Sequence, residues 1–170
     1  MLVQFRRKRQ GKTNYNRRRK LLGARELRVI IRKSNTNVYL QIAKYEEQGD
    51  KIITSANSRE LLKIGWKGAR KNLPAAYLTG LLLASKAKKQ NIKKAILDVG
   101  MHTPTPGGII YAALKGMIDG GIQVPHSEDV IPKQERIEGK HIMLNTKTKS
   151  PNKEKITEQF NETKNKILKE

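Results

Sequence analysis

The chain has no cysteine, which excludes disulfides, thiolate zinc sites and cysteine nucleophiles together. Aromatic residues make up 5% of the 170, and acids number 15 against 36 lysines and arginines, a formal net charge of +21 at pH 7. Long apolar runs are missing too. The longest, Ala75 to Ala84, falls short of the ~20 residues a membrane helix needs, so no membrane partner is expected. Met1 to Phe5 runs straight into Arg6-Arg7-Lys8-Arg9, leaving no room for the apolar stretch of a secretory signal, and the first 20 residues contain no serine, unlike a transit peptide. The expectation is a soluble, cytoplasmic protein. Scarcity of acids also bears on chemistry, because a Mg²⁺-dependent nuclease wants several convergent carboxylates. Between Lys51 and Val99 the predicted strands and helix supply only Glu60 and Asp98. His102, His126 and His141 lack metal-ligand spacing. No catalytic site, metal or cofactor is expected.

What is abundant is positive charge, unevenly placed. Residues 1–33 hold 13 basic side chains and one acid, Glu26, whereas residues 101–140 hold 4 and 5. Nine of the fifteen residues from Arg6 to Lys20 are cationic and none is acidic. Such a block repels itself unless a polyanion shares the charge, so a nucleic acid is the expected partner and an extended free arm the expected conformation.

After the arm, apolar residues take on the rhythm of a folded domain. Leu27, Val29 and Ile31 alternate with Arg28, Ile30 and Arg32, and Val38, Leu40 and Ile42 alternate with Tyr39 and Gln41. Turns are predicted at Ser34–Asn37 and Gln48–Asp50, with a third strand over Lys51–Ala56. Asn57 and Glu60 form a weak capping box for a short helix. Asn72-Leu73-Pro74 opens a longer one, with Pro near its first position, whose Ala75, Gly80, Ala84 and Ala87 would let it lie close to a sheet. Ala95–Val99 reads as a buried strand and Ile110, Ala113, Leu114 and Met117 as one helix face ending at Gly120-Gly121. Residues 122–140 look irregular, and the stretch after Pro151, with Ile156, Phe160 and Ile167, as a marginal helix. The expected fold is α/β: a three-stranded antiparallel meander plus one parallel strand reached by a helical crossover, making a mixed sheet with packed helices. Three parts are expected: a basic RNA-binding arm over residues 1–23, a globular α/β domain over 24–142, and a Lys/Glu-rich C-terminal extension over 143–170.

Within the arm, Arg6, Arg7, Lys8, Arg9, Lys12, Arg17, Arg18, Arg19 and Lys20 are candidate phosphate contacts, with Thr13 as a donor and Tyr15 as a base-stacking ring. Gly11-Lys12-Thr13 mimics the end of a P-loop, but Arg6 stands where its first glycine belongs and no strand precedes it. Arg28 and Arg32 are expected to share the polar face of the sheet with Tyr39 and Gln41. Trp66-Lys67-Gly68-Ala69-Arg70-Lys71 sets the single tryptophan among cations, where it either anchors the core or stacks on RNA. Pro106-Gly107-Gly108 either turns into a helix or offers N–H groups to an anion.

Several segments also stand in a telling order: Arg32-Lys33-Ser34-Asn35, Ser55-Ala56-Asn57-Ser58-Arg59-Glu60, Gly65-Trp66-Lys67-Gly68, Asn72 to Gly80, Ile96-Leu97-Asp98-Val99-Gly100, Ala113-Leu114-Lys115-Gly116 and Ile122 to Ser127. Together they resemble the L-eighteen family of large-subunit ribosomal proteins, in its archaeal form, over about residues 5–142. The resemblance implies a mixed α/β fold whose basic arm and sheet-side surface hold 5S rRNA. It adds Lys33, Ser34, Asn35 and Arg59 to the candidate contacts. It also implies a place in the central protuberance of the large subunit, tying 5S rRNA to the large-subunit rRNA beside neighbouring large-subunit ribosomal proteins. The chain departs from the family pattern near Ile109, where a basic residue is common, and after Ile142. The remaining alternatives are a nucleic-acid-binding architectural protein outside the ribosome and a metal-dependent nuclease.

Overall fold

The computed structural model describes residues 3–144 and 155–169. Strands β1 (Arg28–Lys33), β2 (Val38–Lys44) and β3 (Lys51–Asn57) form the expected antiparallel meander. β4 (Ile96–Asp98) adds to β1 in parallel, giving the order β3-β2-β1-β4. The mixed sheet is thus as its alternation predicts. At the first hairpin the Ser34 hydroxyl accepts from the Asn37 N–H at 2.9 Å, an ST turn that closes the loop without outside help.

Period-two alternation puts Val29, Ile31, Leu40, Ile42 and Ala56 on one face, all fully buried or nearly so. That face is covered by α4 (Leu73–Lys88), which the Asn72 carboxamide caps by accepting from the Ala75 N–H at 2.8 Å, with Pro74 in the first turn. α4 is buried almost all round because α5 (Ile109–Asp119) packs along its other side. Of its small residues, Gly80 and Ala84 therefore serve a different neighbour from the one expected. A Cβ at Gly80 would strike the Ala113 carbonyl, one at Gly116 the Tyr77 carbonyl, and one at Gly120 the Ala84 methyl. The glycines let two helix backbones touch rather than letting α4 approach the sheet.

Short helices α3 (Leu61–Ile64), α6 (Gln134–Ile137) and α7 (Lys140–Leu144) trim the edges, the last two within or beside a stretch that reads as irregular. The Glu60 carboxylate accepts from the Asn57 N–H at 2.9 Å, as the capping box predicts, but Asn57 turns its own side chain to the Arg59 N–H. At the C-terminal end α8 (Ile156–Lys169) buries Ile156, Phe160, Thr163 and Ile167. Phe160 meets the Tyr77 ring at 5.5 Å between centroids, so this helix completes the core.

The arm is not extended. It folds as α1 (Arg6–Arg9) and α2 (Tyr15–Leu22), with the Asn14 side chain capping α2 through the Arg17 N–H at 3.0 Å. The Phe5 and Tyr15 rings pair at 5.2 Å and Arg7 Nε donates to the Thr13 hydroxyl at 2.9 Å, closing the bend between the two helices.

Candidate nucleic-acid interface

The outer face of the sheet carries the side chains that alternate away from the core: Arg28, Ile30 and Arg32 on β1, paired in register with Ala43, Gln41 and Tyr39 on β2. Parallel pairing sets Asp98 of β4 beside Ile30, between the two arginines. Arg28 Nη1 donates to Asp98 Oδ2 at 3.1 Å, and Arg28 Nη2 lies 2.5 Å from Asp50 Oδ1, just before β3. Asp50 in turn accepts two hydrogen bonds from Arg18 of the arm, at 2.8 and 2.9 Å. Arg17 reaches the Gly100 carbonyl at 3.4 Å, and Gly100 returns its N–H to Asp98 at 2.8 Å. Arg32 Nη2 lies 3.8 Å from Asp98 Oδ1, so two arginines of the arm, two of β1 and two carboxylates form one continuous network that ties α2 across the outer face.

Its electrostatics follow from that geometry. Burial pushes the Asp50 carboxyl up, but hydrogen bonds and charge from Arg18 and Arg28 outweigh it and hold the group below the usual carboxylate range. Arg32, half-buried against Gly100, is lowered by desolvation and by the charges of Arg28 and Arg7, with Asp98 only partly compensating. His102, whose Nε2 faces the Lys33 N–H at 3.4 Å, is likewise lowered by burial and by Arg32 and Lys33. Positive charge exceeds negative charge all along this face.

The candidate residues separate into three groups. Arg6, Lys8, Arg9, Lys12, Arg19 and Lys20 are exposed on the arm and make no ion pair or hydrogen bond through their side chains with any described residue. Arg7, Thr13, Tyr15, Arg17 and Arg18 build the bend or tie α2 down, so part of their capacity is already committed. A third group sits at the far end of the sheet. There Lys33, Ser34 and Asn35 flank the first hairpin, and Arg59 follows Ser58, whose hydroxyl accepts from the Val38 N–H at 3.0 Å. Beyond Arg59, Lys67 is exposed and Arg70 half-buried.

Two expectations change on burial. Arg28 is 1% exposed and committed to two carboxylates, so it is a buried support of the face and not a surface contact. Trp66, also 1% exposed, packs in the core with its Nε1–H on the Ala69 carbonyl at 3.2 Å, and its ring lies against Gly68 where any Cβ would collide. It is an anchor, with no face left for a base. Asp50, Asp98 and Gly100 were missed as parts of the site. The signal available was their rarity: two of very few acids in the strand region of a cationic chain need partners once buried. Among the described residues no group of three or more His, Asp or Glu is placed to hold a metal ion, and no helix is long and apolar enough to cross a membrane.

A mixed α/β sheet with a cationic helical arm strapped over its polar face is the layout of a basic RNA-binding protein. Comparison with known proteins makes the class specific. The model of the family described as ribosomal large subunit proteins 60S L5 and 50S L18 matches residues 1–94 and 86–127. The large ribosomal subunit protein uL18 of Methanoregula boonei is 49% identical over 141 residues, covering 83% of this chain and 81% of that protein. The protein of the same description from Methanococcus maripaludis is 49% identical over 140 residues, covering 82% and 72%. The chain belongs to this family of large-subunit ribosomal proteins, in its archaeal form.

Proposed function

We propose that this protein binds 5S rRNA and attaches it to the large-subunit rRNA in the central protuberance of the cytoplasmic ribosome, next to other large-subunit proteins. The observation that carries this reading is the set of six arm cations, Arg6, Lys8, Arg9, Lys12, Arg19 and Lys20, whose side chains have no partner among the described residues, on a largely helical segment already docked to the sheet. Helices hold such charges at fixed spacing, so they meet successive phosphates without the full ordering cost of an extended arm. Exposed Asn35, Arg59 and Lys67 extend the cationic and polar surface at the far end of the sheet. The role is structural: charge and shape hold the RNA, and no bond is made or broken.

The test is binding of 5S rRNA across a salt series, against B-DNA as competitor. If six to ten phosphates are neutralised, affinity falls by roughly 10³–10⁵ between 50 and 200 mM salt, by the duplex-DNA relation. Deleting residues 1–23 removes nine of the 36 basic groups and flattens that slope. A salt-independent affinity, or equal displacement by B-DNA, overturns the reading in favour of a general architectural protein.

A further inference from the structure

Between the arm and the outer face of the sheet lies a polar cavity of about 250 Å³. Six cationic side chains line it: Arg7, Lys12, Arg17, Arg18, Arg28 and Arg32. Two carboxylates, Asp50 and Asp98, face them. Both are already occupied, Asp50 by Arg18 and Arg28, and Asp98 by Arg28, Arg32 and the Gly100 N–H. The wall therefore keeps four more positive charges than negative ones. Arg28 adds a sharper observation. Its side chain is 1% exposed, yet its Nε–H has no hydrogen-bond acceptor among the described residues. A buried charged donor without a partner is costly, and an anion is the acceptor that removes the cost.

We propose that this cavity is a binding site for one phosphate-type oxyanion, held by Arg7, Lys12 and Arg17 on the arm above the buried Arg28 of the sheet. A tetrahedral oxyanion suits it because several oxygens can accept from several guanidinium groups at once. With liquid water taking roughly 30 Å³ per molecule, the space admits such an ion with part of its hydration shell. Arg32, lowered in basicity first by burial, also feels the nearby charges of Arg28 and Arg7 against the attraction of Asp98. Filling the site relieves that repulsion and fixes the arm on the sheet. The oxyanion has two possible sources, inorganic phosphate or a phosphodiester of bound RNA. The second source rests on the reading under Proposed function, and the first does not.

The experiment titrates the full chain with inorganic phosphate at constant ionic strength, balanced with chloride, while following the arginine Nε–H resonances by NMR. Arg28→Lys identifies the Arg28 signal. A saturable shift of that signal, with a melting temperature raised by phosphate beyond chloride, supports the site. Lys12→Gln, at an exposed position whose side chain makes no hydrogen bond or ion pair with any described residue, weakens phosphate binding by about threefold or more while leaving the circular dichroism spectrum unchanged. Uniform, unsaturating shifts of all arginines, or an equal response to chloride, overturn the proposal. Adding 5S rRNA in phosphate-free buffer then separates the sources. If RNA alone moves the Arg28 signal and excludes phosphate, a backbone phosphate is the occupant. If RNA binds, leaves the signal in place and still admits phosphate, the free ion is. Failure of RNA to bind overturns the 5S rRNA reading while the phosphate titration still decides the cavity.

Discussion

The Arg18 guanidinium holds the Asp50 carboxylate end-on, one Nη nitrogen donating to each oxygen at 2.8 and 2.9 Å. This fork joins residues 32 positions apart and makes the arm part of the folded domain. It also sets the arm in competition with itself, because a cation spent on Asp50 is one fewer for a phosphate.

Removing either end of the fork should have unequal effects. Arg18 is about one-third exposed, so Arg18→Gln should cost no more than ~1 kcal/mol of stability. Asp50→Asn also strips a carboxylate from fully buried Arg28 and should cost about 1–3 kcal/mol. Urea denaturation of the two variants measures both. Equal losses would show that Arg28 does not depend on Asp50. In either variant amide exchange in α2 should speed up.

Acid should loosen the same contact. Asp50 titrates below its usual value of 3.8 in the folded chain, since its arginine partners outweigh burial. It therefore binds fewer protons folded than unfolded near that pH. The stability it lends is complete above the unfolded value and disappears as pH falls through the folded one. The difference in unfolding free energy between wild type and Asp50→Asn should be constant near neutrality and shrink on acidification below about pH 4. A gap that stays constant into strong acid would contradict the assignment.

Gly116→Ala tests the contact between α4 and α5. The new methyl would meet the Tyr77 carbonyl, a backbone atom that cannot swing aside. Although alanine is the better helix former by about 1 kcal/mol, the collision should dominate and destabilise by roughly 1–3 kcal/mol or more. Denaturant midpoints decide the sign. A stabilised variant would place the two helices further apart than described.

Phe160→Ala tests whether α8 belongs to the fold. Phe160 is 1% exposed and packed on Tyr77, so its truncation should cost about 3–5 kcal/mol. A change within experimental error would mean that the C-terminal helix is only loosely attached.

The core-facing half of the sheet was legible because alternation is a local signal: Val29, Ile31, Leu40 and Ile42 announce their face within a few residues. Alternation likewise set Arg28, Arg32, Tyr39 and Gln41 on the outer face, but what covers Arg28 there was hidden, because it comes from positions 18, 50 and 98 and no window of sequence contains them all. The arm was read as extended since its charges cannot bury themselves. Its helices instead rest on the Asn14 cap, the Phe5–Tyr15 pair and a fork to a distant acid. Trp66 was undecidable, as tryptophan serves cores and RNA equally well, and its burial is set by Gly68 and the surrounding core. For α4, the small residues were visible but their target was not. Ala76, Gly80 and Ala84 recur every four positions, as do Ala112, Gly116 and Gly120, and that matched spacing on two helices is the pattern that reports a helix partner. The exposed arm cations were fully legible from composition alone.

The shape of the sheet margins has a consequence for the life of the chain before it meets RNA. β4 is three residues long, and the backbone just before it is already occupied: Ala95 donates to the Gln123 carbonyl and Gln123 to that of Lys93. Exposed Lys93 and Lys94 stand at that margin. On the opposite side β3 begins with exposed Lys51, and its pairing with β2 is irregular at Ile42/Ala43. A short margin at β4 and a charged, irregular one at β3 are poor templates for strand addition by a second copy. A second copy of the chain therefore meets lysines and a break in pairing, and not a long regular edge, at either side of the sheet.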